Sequence, residues 1–320
     1  MTPRFLPAFL RISDEVGSAL HEGRPVVALE TTLVTHGFPG DEGLAVAVES
    51  DHQVRSAGAV PASVGILDGE AIVGLSEAQL ERFAGASTAR KVGPREVGSC
   101  VASGGVGATT VGGTLAVAGA AGVHFMGTGG IGGVHRDFAS SLDISADLVQ
   151  LARTTAVVVA SGAKSLLDVR ATAELLESLG VPVLGWRTTT LPRFYTSLGG
   201  PPVSSTVDAP GQVARVAGYH WSLPGTGGIL LAQPPPRDLD VDQLLDEALA
   251  SVEARGVTGQ GVTPAVLSYL HDASGGETAK LNKELIAANA HLAAEVAVAF
   301  AELAPALEHR PEPHRTPHVP

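Results

Sequence analysis

Residues 155–168 read TAVVVASGAKSLLD, and this stretch decides the fold. An apolar, β-branched run stops at Gly162, and Lys164 follows two residues later. Such a run without polar alternation reads as a strand buried on both faces, the kind found in parallel sheets covered by helices. Outward from it, "GVHFM" (122–126), "VPVLGW" (181–186) and "GGILLAQ" (227–233) read the same way, as does "VVAL" (26–29), which ends at Glu30. Helical segments lie between these runs. Ser13 is placed to cap a helix over 14–22 closed by Gly23, Asp41 to cap one over about 42–57, and Ser76 with Gln79 to form a capping box. Helices are expected over most of 238–303. This alternation predicts a three-layer α/β/α fold around a largely parallel sheet. "SVGIL" (63–67), Asp68-Gly69 and "AIVGL" (71–75) form a hairpin signal with a type I′ turn, so the sheet is expected to be mixed. One catalytic domain is expected over 1–303. Residues 304–320, rich in Pro and His, read as a disordered tail, with metal binding by its histidines as the alternative.

Composition narrows the function. The chain has 320 residues, 44% hydrophobic and 17% charged, which suits a globular protein with a sizeable core. A net charge of −12 argues against a nucleic-acid polymer or an anionic membrane as partner, while leaving room for a small phosphorylated substrate. Cys100 is the single cysteine, which excludes an intramolecular disulfide and a cysteine-based zinc cluster. The N-terminal apolar run is broken by Pro7, and no stretch reads as a membrane span free of charge or repeated Gly, so a cytoplasmic protein is expected.

Several loops carry candidate chemistry. Gly127, Gly129 and Gly132 satisfy G-x-G-x-x-G, but they lead into Val134-His135-Arg136-Asp137 rather than into an apolar helix, so a dinucleotide site is disfavoured. The glycines are read instead as letting backbone N–H groups converge on an anion, with His135 and Arg136 adding positive charge; a turn-rich connection is the alternative. Asp143 and Asp147, four apart, would share a helix face and repel unless a divalent cation relieved them; locally, Asp143 as a helix N-cap with Asp147 facing solvent is the favoured reading. "SGAKS" fails as a phosphate loop, since Ala163 stands where the second glycine belongs and Val158 where the first does. Lys164 beyond a buried strand suits nucleophilic amine chemistry, because partial desolvation favours the free amine. The commoner fate of such a lysine is the first helical turn, pointing to water. Glu30 is a general acid if burial raises its pKa, or else a strand-end carboxylate in an ion pair. Lys91 is uninformative from its neighbours.

Taken together, "VALETTLVTHG", "GAVPASVGILDG", "GATTV", "TGGIGGVHR", "DISADL", "SGAKSLLD", "GVPVLGW", "VTGQGVTP" and the late Asn282 and Asn289 resemble, in the same order, the pseudouridine-5′-phosphate glycosidase family, which includes the indigoidine-synthase-A-like proteins. The resemblance implies an α/β/α fold, a homotrimer, and a divalent metal, commonly manganese. It implies reversible cleavage of the C–C bond between C1′ of ribose 5-phosphate and C5 of uracil. Lys164 then looks like the nucleophile and Glu30 like the proton donor. Asp143 resembles the metal-site carboxylate, acting through metal-bound water. Lys91, the Val111 backbone, and Ser145, Ala146 and Asp147 resemble substrate contacts. Thr110, His135 and Gly130 belong to the implied phosphate and ribose site, and Asn282 to the base side. A C-glycoside lacks a leaving group freed by protonation alone, which accounts for an amine that captures C1′ as an iminium.

The chain also departs from the family pattern. Pro94-Arg95-Glu96-Val97 stands where an Arg-Asp-Leu run is usual after the lysine, Gly112-Gly113 replace bulkier small residues, and residues 192–208 differ around a retained Phe194-Tyr195 pair. Altered loops that face the base would also suit a C-glycosynthase of secondary metabolism, joining ribose 5-phosphate to an aromatic polyketide as in alnumycin assembly. A non-enzymatic phosphosugar-binding regulator is the third reading.

Overall fold

The computed structural model describes residues 6–38, 42–86, 89–257 and 259–308. Thirteen strands run in chain order among them: β1 Leu10–Ile12, β2 Val26–Glu30, β3 Val60–Leu67, β4 Glu70–Val73, β5 Arg90–Val92, β6 Gly107–Thr109 and β7 Phe125–Gly127. The rest are β8 Val134–His135, β9 Val157–Ala160, β10 Leu167–Asp168, β11 Val183–Trp186, β12 Ser205–Val207 and β13 Ile229–Ala232. The main sheet has the order β1-β4-β3-β2-β7-β9-β13-β11-β12, with β6 beside β3 and β5 beside β6. Its centre is parallel, with Leu29 opposite Gly127 and Gly127 opposite Val159. Only β3–β4 and β3–β6 are antiparallel, so the sheet is mixed as expected. The β3–β4 turn has φ of 53° at Asp68 and 82° at Gly69, the double left-handed geometry a type I′ turn requires.

Alternation along the central strands makes three layers. Val27, Leu29, Val157 and Val159 pack with Val54, Val213, Ala217 and the helix Glu277–Glu308. Val26, Ala28, Val158 and Ala160 turn the other way, onto Leu115, Val117, Leu148 and Leu151. Each strand is thus apolar at every position because each face has its own helices. Among the described residues only Glu277–Leu303 has the length and composition of a membrane-crossing helix, and half of its most apolar stretch is buried within the protein. Ala290, Ala293, Val296 and Ala297 are at most 1% exposed, which makes it a core helix.

Boundaries moved where glycine conformation intervened. The strand expected at 122 begins at Phe125, because Gly122, at φ 89°, is the left-handed cap of helix Val111–Ala121. The Ser76–Gln79 capping box and the Ser13 cap are present. Asp41 lies outside the described residues; the helix it was expected to cap runs Glu42–Ser56. The last helix continues to Glu308, past the expected tail boundary at 304, and 309–320 lie outside the described residues.

Candidate active site

The carboxyl ends of β2, β7 and β9 lie side by side at the centre of the sheet, where open α/β folds place their ligand crevices. There the apolar run of β9 stops. Gly162, at φ 75°, turns the chain so closely past Pro192 that a Cβ would lie 1.9 Å from its carbonyl oxygen. Lys164 follows, held by its backbone N–H to Ile131 O at 3.2 Å. It is half-buried and precedes β10, with the next helix starting at Val169, so the reading of a water-facing lysine in a first helical turn does not hold. Asn289 ties the strand ends together: its Nδ2 donates to Thr128 O at 2.8 Å and to Ser161 Oγ at 3.1 Å.

Two adjoining cavities open here and share Glu30, Thr32, Lys91, Lys164 and Thr263. The larger, about 240 Å³, adds Thr110, His135, Asp143, Ser145, Ala146 and Asp147. The smaller adds Gly130 and Asn282 within walls that include Leu33, Phe38, Phe194 and Ile286. Of the site residues that the resemblance implies, only Val111 lines neither. As the first residue of helix Val111–Ala121, with 1% exposure, it can offer a ligand only its backbone. Arg136, expected to add positive charge for an anion, also lies outside both, paired with Asp246 at 3.2 Å.

Glu30 is buried and accepts a hydrogen bond from Thr128 Oγ1. Burial raises its pKa, and this outweighs the opposing pull of the Lys164 charge and the Thr128 hydrogen bond. The carboxyl therefore holds its proton to higher pH than an exposed glutamate, as a general acid requires. Lys91 proves to be part of the site. Burial first, and then the neighbouring Lys164 charge, lower its pKa against the pull of Asp147 and Glu30.

Asp147 is 6% exposed, not solvent-facing, and acts as a clamp. It accepts from Gly112 N at 2.7 Å, Gly132 N at 2.9 Å and Thr110 Oγ1 at 3.4 Å, binding the glycine-rich loop to the start of helix Val111–Ala121. A Cβ on Gly132 would lie 2.2 Å from Ser145 Oγ, and one on Gly113 would lie 2.2 Å from Val92 O. These glycines serve close approach, and the Gly132 N–H is spent on Asp147 rather than on an anion. The loop leads into β8, so the dinucleotide fingerprint lacks its helix.

Asp143 is not a helix cap; Ser145 caps helix Ala146–Arg153 through a bond from Asp147 N. Asp143 instead lines the larger cavity, its Oδ2 3.8 Å from His135 Nε2. No three His, Cys, Asp or Glu side chains converge on a common point among the described residues. A hard cation here would take one carboxylate and complete its shell with water or substrate oxygens, a coordination that magnesium-like ions accept.

Sequence reasoning missed Thr128, Arg95, Glu96, Thr263 and His36. Thr128 and Thr263 lie inside quoted motifs but carry no local signal. Arg95 and Glu96 stood out only as departures. They form an ion pair at the larger cavity, and Glu96 also accepts from Gly93 N at 3.0 Å.

A protein named pseudouridine-5′-phosphate glycosidase from Chloroflexus aurantiacus is 44% identical over 304 residues, spanning 92% of this chain and 99% of its own. One of the same name from Streptomyces griseus is 46% identical over 297 residues, 91% of this chain and 92% of its own. Among solved structures, the prealnumycin C-glycosynthase AlnA in complex with ribulose 5-phosphate superposes with a TM-score of 0.86 at 41% identity, covering 94% of this chain and 99% of that one. The family described as Indigoidine synthase A like protein matches residues 15–299, and the chain belongs to it.

Proposed function

We propose that the chain makes and breaks the C–C bond between C1′ of ribose 5-phosphate and a ring carbon of an aglycone, with pseudouridine 5′-phosphate and water giving uracil and ribose 5-phosphate as the leading reaction. The observation that carries this is the convergence of Lys164 with a buried, proton-holding Glu30 on one cavity. Lys164 Nζ attacks C1′ while Glu30 donates its proton to O4′, which leaves C1′ as a hydroxyl. The ammonium formed by the attack returns a proton to the Glu30 carboxylate and regains its lone pair; Glu30 passes that proton to C5, and the lone pair drives C1′–C5 cleavage, releasing uracil and leaving an iminium on Lys164. Water adds to that carbon and expels the amine, giving open-chain ribose 5-phosphate. The larger, polar cavity takes the phosphosugar, with Lys91, Thr110, Ser145, Ala146, Asp147, His135 and the Val111 backbone as its contacts. The smaller cavity takes the base, with Asn282 on its polar side and Gly130 at its floor. Asp143 would hold a divalent cation, manganese in this reading, which supplies positive charge to substrate oxygens. A cytoplasmic homotrimer completes the reading.

A second reading, the C-glycosynthase, is favoured by the AlnA likeness; Phe194, which walls the smaller cavity, belongs to the part of the 192–208 loop that keeps the family pattern and does not separate the two readings. The altered 94–97 segment instead borders the larger one. The regulator reading has no such observation behind it.

The test is covalent trapping. Ribose 5-phosphate alone, followed by borohydride, should leave a secondary amine on the SGAKSLLD peptide. Lys164→Arg should abolish the adduct and turnover while the phosphosugar still binds. An active Lys164→Arg enzyme, or an adduct only at Lys91, refutes the mechanism. Run in parallel, cleavage of pseudouridine 5′-phosphate at roughly 1 per second or faster decides for the glycosidase; trapping with only trace cleavage decides for the synthase.

A further inference from the structure

His36 closes the short helix Thr32–His36 and lines the smaller cavity beside Phe38 and Phe194. Its Nε2 is buried and has no hydrogen-bond partner. The ring does bond to the Ala89 backbone, and with Nε2 unpartnered that bond belongs to Nδ1. An Nδ1 that donates to a carbonyl fixes the tautomer and leaves a bare lone pair at Nε2. Burial and the nearby Lys91 charge both keep the ring neutral. A buried acceptor without a donor costs stability unless a ligand supplies the donor. Asn282 Oδ1, on the same cavity, is in the same condition. Apolar and aromatic walls with two unanswered polar atoms suit a planar ring bearing N–H groups.

We propose that His36 is a specificity-determining residue: its Nε2 accepts a hydrogen bond from a ring N–H of the pyrimidine seated in the smaller cavity. The inference rests on the glycosidase reading above and adds to it the residue that recognises the base. It separates the two halves of the site. The sugar half, from Lys164 to Asp147, should be indifferent to His36, while the base half should depend on it.

The experiment compares uracil, 1-methyluracil and 3-methyluracil as acceptors for ribose 5-phosphate in wild type, His36→Phe and His36→Gln, with borohydride trapping at Lys164 measured alongside. Wild type should disfavour at least one methylated ring by about tenfold to a hundredfold, the scale of one unanswered buried donor or acceptor. His36→Phe should lose about that much kcat/KM for uracil and lose its preference over that analogue. His36→Gln, which can return an acceptor near the Nε2 position, should recover most of both. Trapping should be unchanged in all three. Undiminished uracil use by His36→Phe with its preference intact overturns the inference alone, as does loss of trapping, which would place His36 in the sugar half. A wild-type chain that neither traps the sugar nor cleaves pseudouridine 5′-phosphate overturns the glycosidase reading, and the inference with it.

Discussion

Asp147→Asn isolates the clamp beneath the larger cavity, because the two side chains have the same shape. The aspartate, itself 6% exposed, accepts two backbone amides, one on each oxygen, at 2.7 and 2.9 Å. Asparagine offers one carbonyl oxygen and one NH₂. One amide, from Gly112 or Gly132, must then face a donor, losing a charge-assisted bond of about 1.5–3 kcal/mol and leaving buried donors unsatisfied at about 1–3 kcal/mol. The expected loss is about 3–5 kcal/mol. At a urea dependence of about 3 kcal/mol per molar, the unfolding midpoint falls by roughly 1–2 M. Urea melts followed by circular dichroism read the midpoint, and amide exchange at Gly112 and Gly132 should accelerate. A midpoint within about 0.2 M of wild type, with both amides still protected, would refute the assignment of Asp147 as the clamp.

Glu30 holds its proton above the ordinary glutamate value because it is buried, so its contribution to stability is full below the unfolded pKa and is lost as pH rises through the folded one. Glu30→Gln should therefore gain stability relative to wild type as pH rises, while ring opening slows and phosphosugar still binds; a stability difference flat with pH would contradict this. Asp51, whose pKa burial pushes up to about 6 against the Ser63 hydrogen bond and Arg55, follows the same sign. Asp51→Asn should match wild type near pH 4 and exceed it by up to ~3 kcal/mol above pH 7 in paired urea melts. Activity should fall with chelator and return with manganese, and calorimetric titration should show Asp143→Ala binding the metal poorly. Full activity of that variant after exhaustive chelation would remove Asp143 from the site.

What the sequence determined by itself is what local chain physics controls. The uninterrupted β-branched runs could be stable only between two helical layers. Asp68-Gly69 could adopt its doubly left-handed turn without help, and Ser13 and Ser76 cap their helices through atoms three residues away. The motif order was enough to establish the family. Short strands such as β5 and β6 were not legible, because they exist only through pairing with each other and with β3. The roles of charged residues were undecided for the same reason. Asp143 and Asp147 sit four apart in the chain and both border the larger cavity, yet one stands half-exposed beside His135 and the other is buried in the wall, bonded to the Gly112 and Gly132 amides. Lys91 has no local signature, and its lowered pKa comes from burial and from Lys164, which is distant in sequence. A side chain's charge state depends on its solvent exposure and its neighbours in space, and only the packing of β2, β5, β7 and β9 with their helices supplied those.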